Sequence, residues 1–153
     1  MIVKIQRYYG DGNITKSMVT ALNDQGAVLW EGEAREPRYV DYDNNEKMKG
    51  CSYMCMPRGR YFCKLSSTVD NPMCLRVMGM KGHRGCKLYF EANRDFVMGN
   101  VLLGYADEMV PMEYRKLCRV EEARMEFVQM LYKVIGESLQ LEVVNTYCEV
   151  GTT

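Results

Sequence analysis

Short alternating runs closed by turn residues begin at the first residues of this chain and favour a sheet over a helical bundle. Val3 and Ile5 alternate with Lys4 and Gln6, the period of two that sends successive side chains to opposite faces of a strand. Asp11-Gly12-Asn13 then breaks the run with residues that suit a tight turn carrying positive φ. A second run, Ile14 to Leu22, is rich in β-branched and apolar residues and closes at Asn23-Asp24-Gln25-Gly26, after which Ala27 to Trp30 opens a third strand. Further along, Tyr53 to Met56, Arg60 to Ser66, Cys74 to Met78 and Cys86 to Glu91 read as strands, with Pro57-Arg58-Gly59 and Asp70-Asn71-Pro72 supplying the turns.

One segment breaks this rhythm. From about Arg119 to Ile135, Val120, Ala123, Phe127, Met130, Leu131 and Val134 recur at spacings of three and four, the stripe of an amphipathic helix. Glu121 and Glu122 favour its positive N-terminal end and Gly136 its stop. Leu139, Leu141 and Val143 then alternate with Gln140, Glu142 and Val144, a last strand returning to the sheet. Between Arg35 and Gly50 neither period is found, and the segment reads as a long surface loop, a candidate binding edge. The expected fold is α+β and mostly β, an antiparallel sheet or small barrel or sandwich with one packed C-terminal helix. A length of 153 residues fits a single domain over residues 1–153.

Twenty Lys and Arg against twenty Asp and Glu give zero formal charge, without the basic footprint of a protein whose main partner is nucleic acid or an anionic membrane. No apolar run reaches the length of a signal or membrane-spanning segment. The seven cysteines are an odd number, which fits buried reduced thiols better than a disulfide framework. A cytoplasmic location follows as an expectation. Cys51, Cys55 and Cys63 lie close together, but without a Cys-x-x-Cys and with His83 as the one histidine, neither a metal nor another cofactor is expected.

Thiol catalysis needs a thiolate, and hence a base or positive charge within reach. His83-Arg84-Gly85-Cys86 puts a histidine, an arginine and a cysteine within four residues. Proximity along a strand is weak evidence, because successive residues face opposite ways. The favoured reading of Cys86 is a small apolar residue entering the core, with His83 in the Gly-rich turn before it. Glu31, Glu33 and Glu36 cluster near Trp30 and read as a solvated face; Glu31 and Glu33 would share one side of a strand, where burial of both would raise one pKa. Gly79-Met80-Lys81-Gly82 lies between strands and does not open a helix, so it is no phosphate loop.

Cys55-Met56-Pro57-Arg58-Gly59-Arg60-Tyr61 resembles the C-I-P-x-G-x-Y strand-turn-strand of the domain of unknown function 5675 family, small bacterial and phage proteins. The order of that family's other elements is similar over nearly the whole chain. Glu33 or Glu36 with Arg38 stands for its Glu and Arg segment, Gly82 for its Gly-rich turn, and Ala92-Asn93 for the Gly-Asn that follows its histidine. Gly99-Asn100-Val101-Leu102-Leu103-Gly104 stands for its Gly-Cys-Ile strand, and Val120 onward for its helix. The family's histidine and cysteine resemble the catalytic pair of L,D-transpeptidases, in which a thiolate attacks a peptidoglycan acyl donor. Here the histidine position falls on Tyr89 or Phe90 and the cysteine position on Asn100. Asparagine is no acyl-accepting nucleophile, and neither Phe nor Tyr is a general base near neutral pH.

The resemblance therefore implies a degenerate member, a non-catalytic binding or structural module with site positions Tyr89, Phe90, Asn93 and Asn100 and a protein or glycan partner. The rival is a cysteine-dependent peptidoglycan acyltransferase using Cys86 and His83. A third reading is a particle subunit that buries a methionine-rich surface on assembly, since thirteen methionines suit adaptable interfaces as well as cores.

Overall fold

The computed structural model describes residues 1–40, 42, 55–66, 74–79, 87–90, 100–133 and 138–146. β1 (Ile2–Gly10), β2 (Thr15–Leu22) and β3 (Val28–Glu36) form an antiparallel meander. β4 (Gly59–Ser66), β5 (Cys74–Met78) and β6 (Lys87–Tyr89) form a second. β7 (Leu102–Gly104) adds to the free edge of β3. After the helix α1 (Val120–Lys133), β8 (Leu139–Asn145) enters between the two meanders, antiparallel to β4 and parallel to β1. The result is one eight-stranded sheet in the order β6-β5-β4-β8-β1-β2-β3-β7, curled into a half-barrel.

Among the described residues strands predominate beside a single α-helix, so the protein is mostly β as its alternation implies. The pairing of β1 with β8 is parallel, and α1 carries the chain from β7 at one edge of the sheet to β8 in its middle.

The hollow of the half-barrel is filled by the inward-facing members of each alternation, among them Val3, Ile5, Val19, Ala21, Leu141 and Val143. Ala123, Phe127, Met130 and Leu131 of α1 close it, the four helix positions that are buried. Phe127 is fully buried, with ring centroids 5.0 Å from Trp30 in an edge arrangement and 4.7 Å from Phe90. The turn expected at residues 23–26 forms, with the Asn23 carboxamide accepting the amides of Gln25 and Ala27 and Gly26 at a positive φ of 81°; the chain also bends at Gly12 and Asn13, but without the positive φ expected there, and Asp70-Asn71-Pro72 lies outside the described residues.

Several sequence expectations are revised. Arg35 and Glu36 belong to β3 and are buried, and Pro37, Tyr39 and Tyr42 are buried as well, so the first part of the 35–50 segment is not a surface loop. Positions 41 and 43–50 lie outside the described residues. Cys55 and Met56 are not in a strand; the Cys55 amide donates to the Arg38 carbonyl, and Pro57, which has no N–H, follows. Among the cysteines, Cys55, Cys63 and Cys74 are buried free thiols while Cys118 is exposed; Cys51, Cys86 and Cys148 are outside the described residues.

Candidate functional site

The Cys-Met-Pro-Arg-Gly-Arg-Tyr element forms the entry to β4, and its residue types explain its shape. Pro57 fixes the backbone before the turn, and Gly59 takes φ 152°, a conformation that L side chains rarely adopt. The Tyr61 hydroxyl reaches back to donate to the carbonyls of Pro57 at 2.8 Å and Arg58 at 3.2 Å. A Cβ on Gly59 would stand 3.1 Å from that hydroxyl, so glycine and tyrosine fit each other. Gly59 pairs with Val143 on β8, and beyond this last pair a cleft of 480 Å³ opens, bordered by Arg58, Arg60, Glu142 and Asn145. Arg60, 75% exposed, reaches Glu142 at 3.3 Å.

Next to this turn the interior of the half-barrel becomes polar. Arg7 on β1 donates from Nε and Nη2 to the two carboxylate oxygens of Glu36 on β3, at 3.1 and 2.7 Å, with both side chains 2% exposed. The two-bond fork matches guanidinium to carboxylate geometry. Thr15 donates to the Pro37 carbonyl, and Tyr42 to the Cys55 carbonyl at 2.6 Å. Cys55 lies near Arg7, yet burial pushes its thiol pKa up, outweighing the nearby guanidinium. It remains a protonated thiol near neutral pH and not a nucleophile. In register on either side of Arg7 stand Ser17 of β2 and Asn145 of β8, whose Oγ and Oδ1 are buried without a hydrogen-bond partner.

A second ionic group occupies the opposite face of the sheet. A bulge between Arg7 and Tyr9 leaves Tyr8 without a register partner. Its hydroxyl donates to Glu33 Oε2 at 2.5 Å, and Arg35 and Arg115 each donate to the same carboxylate at 3.0 Å. Burial and the Glu33 hydrogen bond push the Tyr8 phenol well above its ordinary value. Arg35, Arg115 and Lys16 also hold carbonyls of the 108–115 segment, strapping it over the sheet. The three glutamates are thus not one solvated face: Glu31 is exposed, whereas Glu33 and Glu36 are buried on opposite faces, each with arginine.

Of the site positions expected from sequence, His83, Cys86 and Asn93 lie outside the described residues. Tyr89 and Asn100 are brought together: they form a parallel bridge, and the Val101 amide donates to the Tyr89 carbonyl at 2.9 Å. Phe90 instead points into the core against Phe127, and Asn100 is buried. Among the described residues no three His, Cys, Asp or Glu side chains assemble as a metal site, and no helix is long and apolar enough to cross a membrane. Sequence reasoning missed the Arg7–Glu36 pair; the signal available was an arginine at an inward position of an otherwise apolar alternation, Val3, Ile5, Arg7. No family model, no curated protein and no solved structure matches the chain.

Proposed function

We propose that this chain is a non-catalytic binding module of the kind resembled by the domain of unknown function 5675 family, with a protein or glycan partner and without acyl-transfer chemistry. The observation that carries the reading is the adjacency of Asn100, at the family's cysteine position, and Tyr89, one of the two residues, with Phe90, on which its histidine position falls. Acyl transfer needs a thiolate and a base, and this pair offers a phenol and a carboxamide. The Cys55 thiol, held protonated by burial, does not replace them.

Incubating the purified protein with peptidoglycan stem peptides should give neither cleavage nor cross-linking, and a β-lactam should leave no thioester adduct. The double variant Cys86→Ala with His83→Ala should behave as the wild type in both assays. A covalent adduct on Cys86 that disappears when His83 is replaced would overturn the reading.

A further inference from the structure

The charge that balances over the whole chain does not balance everywhere in space. On the outward face of β4, β5 and β6, Lys64 stands in register with Arg76, and Arg76 with Lys87. All three side chains are exposed, and none enters an ion pair or hydrogen bond among the described residues. Like charges directly opposite one another destabilise a sheet, so folding alone gives no reason for this row. We propose that the outward face of β4, β5 and β6 binds single-stranded nucleic acid, with phosphates along Lys64, Arg76 and Lys87 and a base on Phe62. This goes beyond the reading above and does not depend on it.

An apolar row runs beside the cations. Phe62 pairs with Met78, and the two side chains are 66% and 44% exposed. Their neighbours Cys63, Leu75, Val77 and Leu88 all turn into the core, which fixes the outward direction of the residues between them. A step of two residues along a strand is about 7 Å and adjacent strands lie about 5 Å apart, so both rows cross the three strands side by side. A single nucleic-acid strand has this layout in its covalent structure, with a line of charged phosphates along one edge and flat rings along the other. An extended acidic peptide sends successive side chains to opposite sides and matches one row only.

The chemistry suits a strand whose bases are free. An exposed phenyl ring accepts the face of any base, and cations that hold the backbone do not read sequence, so binding of this kind is sequence-tolerant and salt-dependent. A duplex keeps its base faces stacked and leaves Phe62 without a partner.

The test titrates the full chain with single-stranded thymidylate and uridylate octamers and with polyglutamate of matched charge, following the backbone amides of Phe62, Lys64, Arg76 and Lys87 by NMR. Saturable shifts centred on these amides are expected with the octamers, and the tighter of the two identifies DNA or RNA as the preferred strand. The logarithm of the binding constant should fall against the logarithm of salt concentration with a slope of about −2, since each phosphate neutralised on a single strand contributes about −0.7. Lys64→Gln, Arg76→Gln and Lys87→Gln should each weaken binding roughly two- to fivefold and flatten the slope by about 0.7. Phe62→Ala should weaken it at least about fivefold, the lower end of base–aromatic stacking, and leave the slope unchanged. Phe62→Leu keeps an apolar neighbour for Met78 but removes the ring, and should bind like Phe62→Ala. Flat titrations, shifts centred elsewhere, or Phe62 variants that bind like the wild type would each overturn the site. Polyglutamate binding as tightly as the octamers would also overturn it, marking an acidic protein segment as the occupant. Acyl transfer in the earlier assay would sink the non-catalytic reading and leave these titrations unchanged, so the two ideas fail separately.

Discussion

Three neighbouring strands carry two different interiors on one face. Along β1 the inward side chains run Val3, Ile5, Arg7; along β2, Ala21, Val19, Ser17, Thr15; along β3, Trp30, Ala34, Glu36. The apolar half is closed by α1 and held by area and ring packing. The polar half is held by the Arg7–Glu36 fork, beside which sits the small cluster of Tyr39, Tyr42 and Cys55. Hydrophobic contacts are non-directional and roughly additive in area, whereas a buried ion pair is worth little net but is costly to leave half-made. The two halves should thus tolerate deletion equally badly and respond differently to a second substitution.

Phe127→Ala probes the apolar half. It empties a fully buried site between Trp30 and Phe90, and a loss of roughly 3–5 kcal/mol is expected from lost burial plus the residual cavity. Urea denaturation measures this directly. An unchanged midpoint would mean that α1 does not close the hollow.

Glu36→Ala should cost a comparable amount, about 3–5 kcal/mol, because it strands the Arg7 guanidinium in the interior. The halves separate at the next step. Arg7→Met combined with Glu36→Leu removes both charges, and stability should return to within about 1 kcal/mol of wild type or exceed it. No second deletion rescues Phe127→Ala in this way. If the double variant is as unstable as Glu36→Ala alone, the polar half depends on the pair's own hydrogen bonds and not on mere charge balance.

The same contrast governs how much of the molecule can be read from sequence. β5 falls at Cys74–Met78 and α1 covers the expected stripe because alternation and 3.6-residue periodicity are local, and burying an apolar side chain requires no particular partner. The buried glutamates could not be found that way. Glu36 meets an arginine 29 residues away, and Glu33 meets one 82 residues away besides Arg35 on its own strand, so partners that bury the cluster come largely from outside the local sequence. Nor does periodicity reveal that β8 enters parallel to β1 and joins the two meanders. In the turn at Gly59 the proline, glycine and tyrosine stand in the sequence, yet the back-bonding of Tyr61 that orders them is a matter of geometry.

At the rim of the apolar half, Tyr105 accepts a hydrogen bond from Trp30 Nε1 at 3.1 Å and donates to Glu126 at 2.6 Å, under the guanidinium of Arg119. Tyr105→Phe should cost about 1 kcal/mol near neutral pH by leaving the indole N–H without this acceptor. Burial and the Glu126 bond push the Tyr105 phenol up to about 12. A raised folded-state pKa adds stability that is complete below the unfolded value near 10 and is lost as the pH rises through about 12. Between those values the wild type should lose more stability than Tyr105→Phe, narrowing the gap between them. Parallel pH profiles for the two proteins would contradict this.

The smallest effect belongs to the hairpin at the polar end. The Asp11 carboxylate accepts the amides of Asn13 at 2.7 Å and Ile14 at 2.9 Å through Oδ1, and the Tyr9 hydroxyl through Oδ2. Partial burial alone would raise its pKa, but the two amides and the hydroxyl outweigh that and hold it below the usual value. A depressed folded-state pKa adds stability that is present above the ordinary carboxylate range, near 4, and is lost as the pH falls through the folded value. Asp11→Asn keeps an oxygen for the amides while removing the titration, so at neutral pH it should change stability by less than about 0.5 kcal/mol. Below about pH 4 the wild type should lose stability faster than the variant, and the two midpoints should converge or cross. If Asp11→Asn instead loses stability in acid as steeply as the wild type, the acid-sensitive group lies elsewhere, and the polar half is less dependent on this hairpin than its hydrogen bonds imply.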